Sequence, residues 1–237
     1  MTKVTTVLTF LLTFFTINPA YTASAQLQLK PVDIDLSDKA SLQRGARTFM
    51  NYCLTCHSAS YMRYNRMGKD LGLTDEQVKA SLMFASEKVG ETMTIAMRPD
   101  DAKKWFGSIP PDLSVISRAR GADWLYSYFQ TFYLDNKKVM GTNNSTFKNV
   151  GMPHVLWQDQ GYLQKDTNGD LTRLSEGDLS ENEYDEMARD LVNFLAYIGE
   201  PSKIQRLALG KWVLIYLALF FFVAYPLKKV IWEDISK

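Results

Sequence analysis

The pentapeptide CLTCH, residues 53–57, holds both cysteines of a 237-residue chain and one of its two histidines. Four chemistries use such a cluster. A structural disulfide between Cys53 and Cys56 would close a very small loop, and loop closure is where a bridge gains its stabilisation. A redox dithiol uses Cys-x-x-Cys beside a βαβ pattern, and no alternation of strands and helices is legible here. A closed zinc site wants four ligands; Cys53, Cys56, His57 and distant His154 could supply them, without the usual second pair at short spacing. The fourth chemistry is c-type haem attachment, Cys-x-x-Cys-His. It accounts for each residue type at its position. Two thiols three residues apart on a helical turn reach the two vinyl groups on one porphyrin edge, and the adjacent His57 sets an imidazole beneath the iron.

The flanking residues fit a helix. In SLQRGARTFMNYC, the residues Leu42, Gly45, Ala46, Phe49 and Cys53 recur at spacings of three and four. Gly45 costs about 1 kcal/mol in a helix relative to Ala, which a close helix crossing would offset. Haem iron in an electron carrier commonly takes Met as its second axial ligand. Of the ten Met, Met152 stands out in NVGMPHVLWQ, where Gly151 frees the backbone and Pro153 fixes the turn. His154 is the rival ligand.

The chain ends look unlike a soluble domain. Residues 1–25 read as a secretory signal peptide, with Lys3, an apolar stretch Val4–Ile17, and Ala23-Ser24-Ala25 before Gln26. As a helix that stretch spans only ~21 Å, short of a ~30 Å hydrocarbon core. Near the other end, Leu207–Leu227 carries one charge, Lys211, and gives ~31 Å of helix, enough to span. Trp212 and Tyr225 suit membrane interfaces. The expected layout is an exported haem domain at 26–203, an anchor at 204–229 and an internal tail at 230–237. The localisation expected is a bacterial cytoplasmic membrane, single-pass, with the haem domain in the periplasm and the C-terminus cytoplasmic. A net charge of +1 gives no overall bias toward nucleic acid.

Charge is nevertheless uneven. Residues 159–190 hold ten Asp or Glu against Lys165, Arg173 and Arg189, a field able to steer a basic partner. DTNGDLT begins like a calcium loop but has Leu171 where Gly is needed and Gly177 where Glu is needed, so Asn168-Gly169 reads as a tight turn. Ser180 and Glu183 form a capping box. Tyr184, Ala188, Leu191, Leu195 and Ile198 then make an apolar stripe, ended by Gly199 and Pro201. This helix is expected to cross the one preceding CLTCH.

The motif order resembles the cytochrome c1 family. CLTCH at 53–57, WFGSIPPDLSVISRAR at 105–120, GMPHVLW at 151–157 and the C-terminal span carry the resemblance, and PPDLSVISRAR is far more specific than Cys-x-x-Cys-His. The resemblance implies one covalent haem c on Cys53 and Cys56, His57 as proximal ligand and Met152 as distal ligand. It implies Arg120 at a propionate, Pro110 and Pro111 along the haem edge, and Trp124 where many members carry Tyr. Some members have an extra disulfide; this chain has no cysteine left for one. The implied setting is a bc1 complex: electrons arrive from a Rieske iron–sulfur subunit beside cytochrome b and leave to a soluble c-type cytochrome, in a dimeric complex. The expected fold is mainly α, a class-I-like cytochrome c domain with a single C-terminal transmembrane helix. Alternatives are another membrane-anchored monohaem carrier and, more distantly, an anchored thiol–disulfide oxidoreductase using Cys53 and Cys56.

Overall fold

The computed structural model describes residues 29–233. The signal-peptide expectation at 1–25 and the last residues of the tail lie outside them. The head is built on two crossed helices far apart in sequence. Helix α1, Lys39–Thr48, starts where the Asp38 carboxylate accepts the Ser41 backbone N–H at 3.1 Å, and it buries Leu42, Gly45 and Ala46. Helix α8, Glu181–Gly199, starts with the capping box foreseen: the Ser180 N–H donates to Glu183 at 2.9 Å and the Glu183 N–H donates back at 3.4 Å. Its stripe Tyr184, Ala188, Leu191, Leu195 and Ile198 is buried throughout, each large aliphatic contributing about 1.5–3 kcal/mol.

The α1–α8 crossing is the principal helix contact, and Gly45 makes it possible. A Cβ there would overlap the Asp190 carbonyl oxygen and sit 2.8 Å from Phe194 Cβ. Beside the crossing, Arg44 donates from Nε and a terminal nitrogen to the two Asp190 oxygens, at 2.5 and 3.0 Å. The Phe49 and Phe194 rings lie 5.5 Å apart.

After α1 the chain passes into one π turn, Phe49–Cys53, closed by the Leu54 N–H on the Phe49 carbonyl at 3.0 Å. Such turns insert an extra residue and occur often at functional sites. Here the turn carries Cys53 to the inner face and delivers the chain into CLTCH.

Between α1 and α8 lie β1 (Ala59–Arg63), α2 (Tyr64–Leu71), α3 (Asp75–Ser81), β2 (Thr92–Met93), α4 (Pro99–Phe106), α5 (Ile116–Arg120), α6 (Ala122–Gln130), β3 (Phe132–Leu134), β4 (Thr142–Asn144), α7 (Trp157–Gln160), β5 (Leu163–Lys165) and β6 (Leu171–Arg173). The strands pair as three antiparallel two-stranded sheets, β1–β2, β3–β4 and β5–β6. None was visible in the alternation of apolar residues, because each is only two to five residues long. The Asp166–Asp170 segment is the turn of the β5–β6 hairpin, with Gly169 at φ 99°, so the tight-turn reading of DTNGDLT holds.

Helix α9, Lys203–Glu233, has 31 residues with mean hydropathy 2.2 in its most apolar window. At ~46 Å it extends past Leu207–Leu227 at both ends and runs through Pro226. Its apolar side chains are exposed, as a helix partnered by lipid requires. It joins α8 through a short turn tied by the Arg206–Glu200 pair at 2.6 Å.

Candidate functional site

Cys53, Cys56, His57, Pro110, Pro111, Arg120, Trp124 and Met152 all line one cavity of about 270 Å³. Three groups of residues supply these eight side chains. In the first, the Cys56 and His57 N–H groups both donate to the Cys53 carbonyl, at 3.0 and 2.8 Å. That tight turn gathers the two thiols and the imidazole against the cavity.

The second segment is 108–120. Asp112 organises it by accepting from the Ser60 N–H at 3.0 Å, the Ser60 hydroxyl at 2.6 Å and the Ser114 N–H at 2.8 Å. The Leu113 N–H donates to the Ser58 carbonyl at 2.8 Å. So fixed, the Pro111 carbonyl lies 2.8 Å from His57 Nδ1. A carbonyl can only accept, so Nδ1 carries the proton and Nε2 keeps its lone pair. A partner on the far nitrogen is how ligating imidazoles are oriented. Burial holds His57 below its ordinary pKa, against the Pro111 bond and the Asp112 charge.

The third segment is α6 with the loop after β4. The Arg120 guanidinium lies 4.9 Å from the Trp124 ring and 5.5 Å from Phe147, within cation–π range. Arg120 makes no ion pair among the described residues, so its fork remains open to a carboxylate. Trp124 stacks on Tyr128 at 5.1 Å. The Tyr128 hydroxyl donates to Met152 Sδ at 3.3 Å.

His154 goes elsewhere. It is buried, stacked on Phe132 at 4.8 Å and 4°, and absent from the cavity wall. Burial pushes its pKa down to about 4, partly opposed by Gln160. Of the two residues weighed as partners of His57, Met152 is the one at the cavity.

These residues suit a c-type haem. The walls are apolar and aromatic, one edge presents two thiols, the imidazole offers Nε2 and a thioether comes from another segment. Both cysteines are unbridged. Burial pushes the Cys53 thiol up to about 12, helped by Cys56, and raises Cys56 as well. A thiol–disulfide oxidoreductase needs a lowered thiol pKa, so the environment opposes that alternative. Sequence reasoning missed Tyr52, Ile109, Leu125, Tyr128, Phe147 and Leu195 on the walls. The aromatic density of DWLYSYF was the available signal for Tyr128.

Fold and cavity define a monohaem c-type cytochrome whose C-terminal helix fits a membrane anchor. A sequence model of the Cytochrome C1 family matches residues 33–235. The chain is 47% identical to a cytochrome c1 of Allochromatium vinosum over 218 residues, covering 87% of this chain and 89% of that one. It is 45% identical to a Nitrosomonas europaea protein named ammonia monooxygenase gamma subunit, covering 91% and 92%. It is 23% identical to a cytochrome b/c1 of Bradyrhizobium diazoefficiens, covering 83% of this chain and 34% of that longer one. The chain belongs to the cytochrome c1 family. It is the haem-bearing electron-transfer subunit of a bc1 complex, with one covalent c-type haem.

Proposed function

We propose that this chain relays single electrons from a Rieske iron–sulfur subunit to a soluble c-type cytochrome, with Cys53, Cys56, His57 and Met152 as the residues that hold its haem. The observation carrying the site assignment is the shared cavity of those four side chains, with His57 Nδ1 committed to Pro111. Cys53 and Cys56 would hold the haem through thioethers, each S–H adding across a vinyl group with no net redox change. His57 Nε2 and Met152 Sδ would hold the iron, and a Met ligand raises the potential. Arg120 faces a propionate. Pro110, Pro111 and the aromatic walls exclude water. When bound, the haem supplies a one-electron couple at its iron.

Partner choice follows from charge and anchoring. The acidic run 159–190 includes the exposed residues Asp166, Asp170, Glu176, Glu181 and Glu183, a field that favours a basic acceptor and raises its on-rate more than its affinity. Helix α9 sits beside cytochrome b in a dimeric complex. Residues 1–25 are removed on export, the domain at 26–203 lies in the periplasm, 204–229 is the anchor and 230–237 is cytoplasmic. Protease added to intact spheroplasts is expected to digest the haem domain and spare the C-terminus.

The test of the site is twofold. A c-type pyridine haemochrome that survives acid–acetone extraction is expected, and its loss in Cys53→Ala/Cys56→Ala. Met152→Leu is expected to lower the haem potential while the haem stays attached; an unchanged potential would remove Met152 as ligand.

A further inference from the structure

Met152 arrives at the cavity on a loop that two buried asparagines hold from inside. Asn144, fully buried, accepts on Oδ1 from the Thr146 and Phe147 N–H groups, both at 2.9 Å. Its Nδ2 donates to the Tyr128 carbonyl at 2.7 Å. Asn143 Oδ1 accepts from the Asn144 and Asn149 N–H groups, both at 2.9 Å, and so holds Asn149 in its left-handed turn at φ 61°. The loop is thus pinned to the helix turn that carries Tyr128.

The Tyr128 ring has little freedom. Trp124 stacks on one face at 5.1 Å, and Phe129 and Phe132 meet it edge-on at 5.6 and 5.0 Å. Its hydroxyl ends 3.3 Å from Met152 Sδ. A thioether sulfur has two lone pairs and is a weak acceptor.

We propose that Tyr128 is a positioning residue for Met152, its hydroxyl engaging the sulfur lone pair that a metal would not use. This rests on the reading of Met152 as axial ligand. One lone pair held by Tyr128 fixes where the other points. The bond also withdraws density from sulfur and turns the positive end of an O–H dipole toward the iron, which disfavours the oxidised state. Tyr128 therefore raises the potential.

The experiment is equilibrium redox titration of full-length haem-loaded protein, with the sulfur-to-iron charge-transfer band recorded on the oxidised form. It compares wild type, Tyr128→Phe and Tyr126→Phe. Tyr126, on the same helix as Tyr128, bonds Asp185 of α8 and is absent from the cavity wall, so it controls for loss of a buried hydroxyl. Tyr128→Phe is expected to shift the ferric-to-ferrous equilibrium about fivefold toward ferric, a fall of about 40 mV at 59 mV per tenfold, and to displace the band. Tyr126→Phe is expected to change neither. An unaltered potential and band in Tyr128→Phe overturn the proposal. A wild type without the band overturns the ligand reading itself, and this proposal with it. Should the variant fail to load haem, the reduced wild type decides. A nuclear Overhauser contact between the Tyr128 hydroxyl proton and the Met152 methyl supports the bond, and its absence refutes it.

Discussion

Gly45→Ala should damage this protein more than its chemistry suggests. An Ala Cβ at position 45 would overlap the Asp190 carbonyl oxygen and lie 2.7 Å from the Asp190 carbonyl carbon and 2.8 Å from Phe194 Cβ. Ordinary carbon contacts need about 3.5–4.0 Å, so α1 and α8 must part by roughly 1 Å. The obstructing Asp190 atoms are helix backbone and cannot turn aside. Overpacking costs typically about 1–3 kcal/mol, and more where nothing yields. Parting the helices also loosens the Arg44–Asp190 pair and the Phe49–Phe194 contact. Against this, Ala gains about 1 kcal/mol in helix propensity. A net loss of about 2–3 kcal/mol at roughly 2–4 °C per kcal/mol for a domain of this size lowers Tm by about 5–10 °C. The assay is thermal unfolding of the haem-loaded protein in detergent, followed by far-ultraviolet circular dichroism. Gly68→Ala is the comparison. There the obstruction is a side-chain methyl, Val78 Cγ2 at 2.7 Å, and the propensity gain should nearly cancel the crowding. A Gly45→Ala protein as stable as wild type would refute the claim that backbone contact governs the crossing.

Ser180→Ala removes the hydroxyl that caps α8 and should cost about 1 kcal/mol, read as a lower guanidinium midpoint with unchanged haem absorbance. Asp112 has burial raising its pKa, but bonds from Ser114 and Ser60 outweigh it and hold the carboxyl below its usual range. Its contribution is therefore present above the unfolded value near 3.9 and is lost as pH falls through the lower folded pKa. Asp112→Asn should flatten that acid limb, as unfolding midpoints between about pH 5 and 2 would show. Electron delivery to a basic soluble cytochrome should slow as ionic strength rises, because exposed charges are screened beyond ~10 Å at 0.1 M salt; stopped-flow rates independent of salt would argue against the acidic run as a steering field.

The sequence exposed the helices that carry a long apolar period and the site residues that carry a motif. The α8 stripe and its capping box are local patterns written within twenty residues. CLTCH is legible because Cys-x-x-Cys-His is the spacing that c-type haem attachment uses. Less legible was whatever depends on contact between distant segments. His154 could be ranked below Met152 but not located, because its stacking on Phe132 is set by how the β3–β4 sheet meets the loop after it. The orientation of His57 depends on Pro111, 54 positions away, and no local pattern encodes that bond. Tyr128 resembles any aromatic on a core helix until the loop from Asn144 to Met152 closes over it. The short sheets escaped notice because two to five residues cannot establish a period of two against background.

The pairing of α1 with α8 also has a consequence in time. The Arg44–Asp190 bond joins residues 146 apart. At a synthesis rate of about 5–20 residues per second, roughly 7 to 30 seconds separate the appearance of the CLTCH segment from that of the helix that packs over it. Throughout that interval Cys53, which the finished head buries, and the partly exposed Cys56 belong to a chain without its closing helix. Any covalent attachment at Cys53 and Cys56 would thus have a window set by chain length, and lengthening the segment between the two helices would widen it without altering the site.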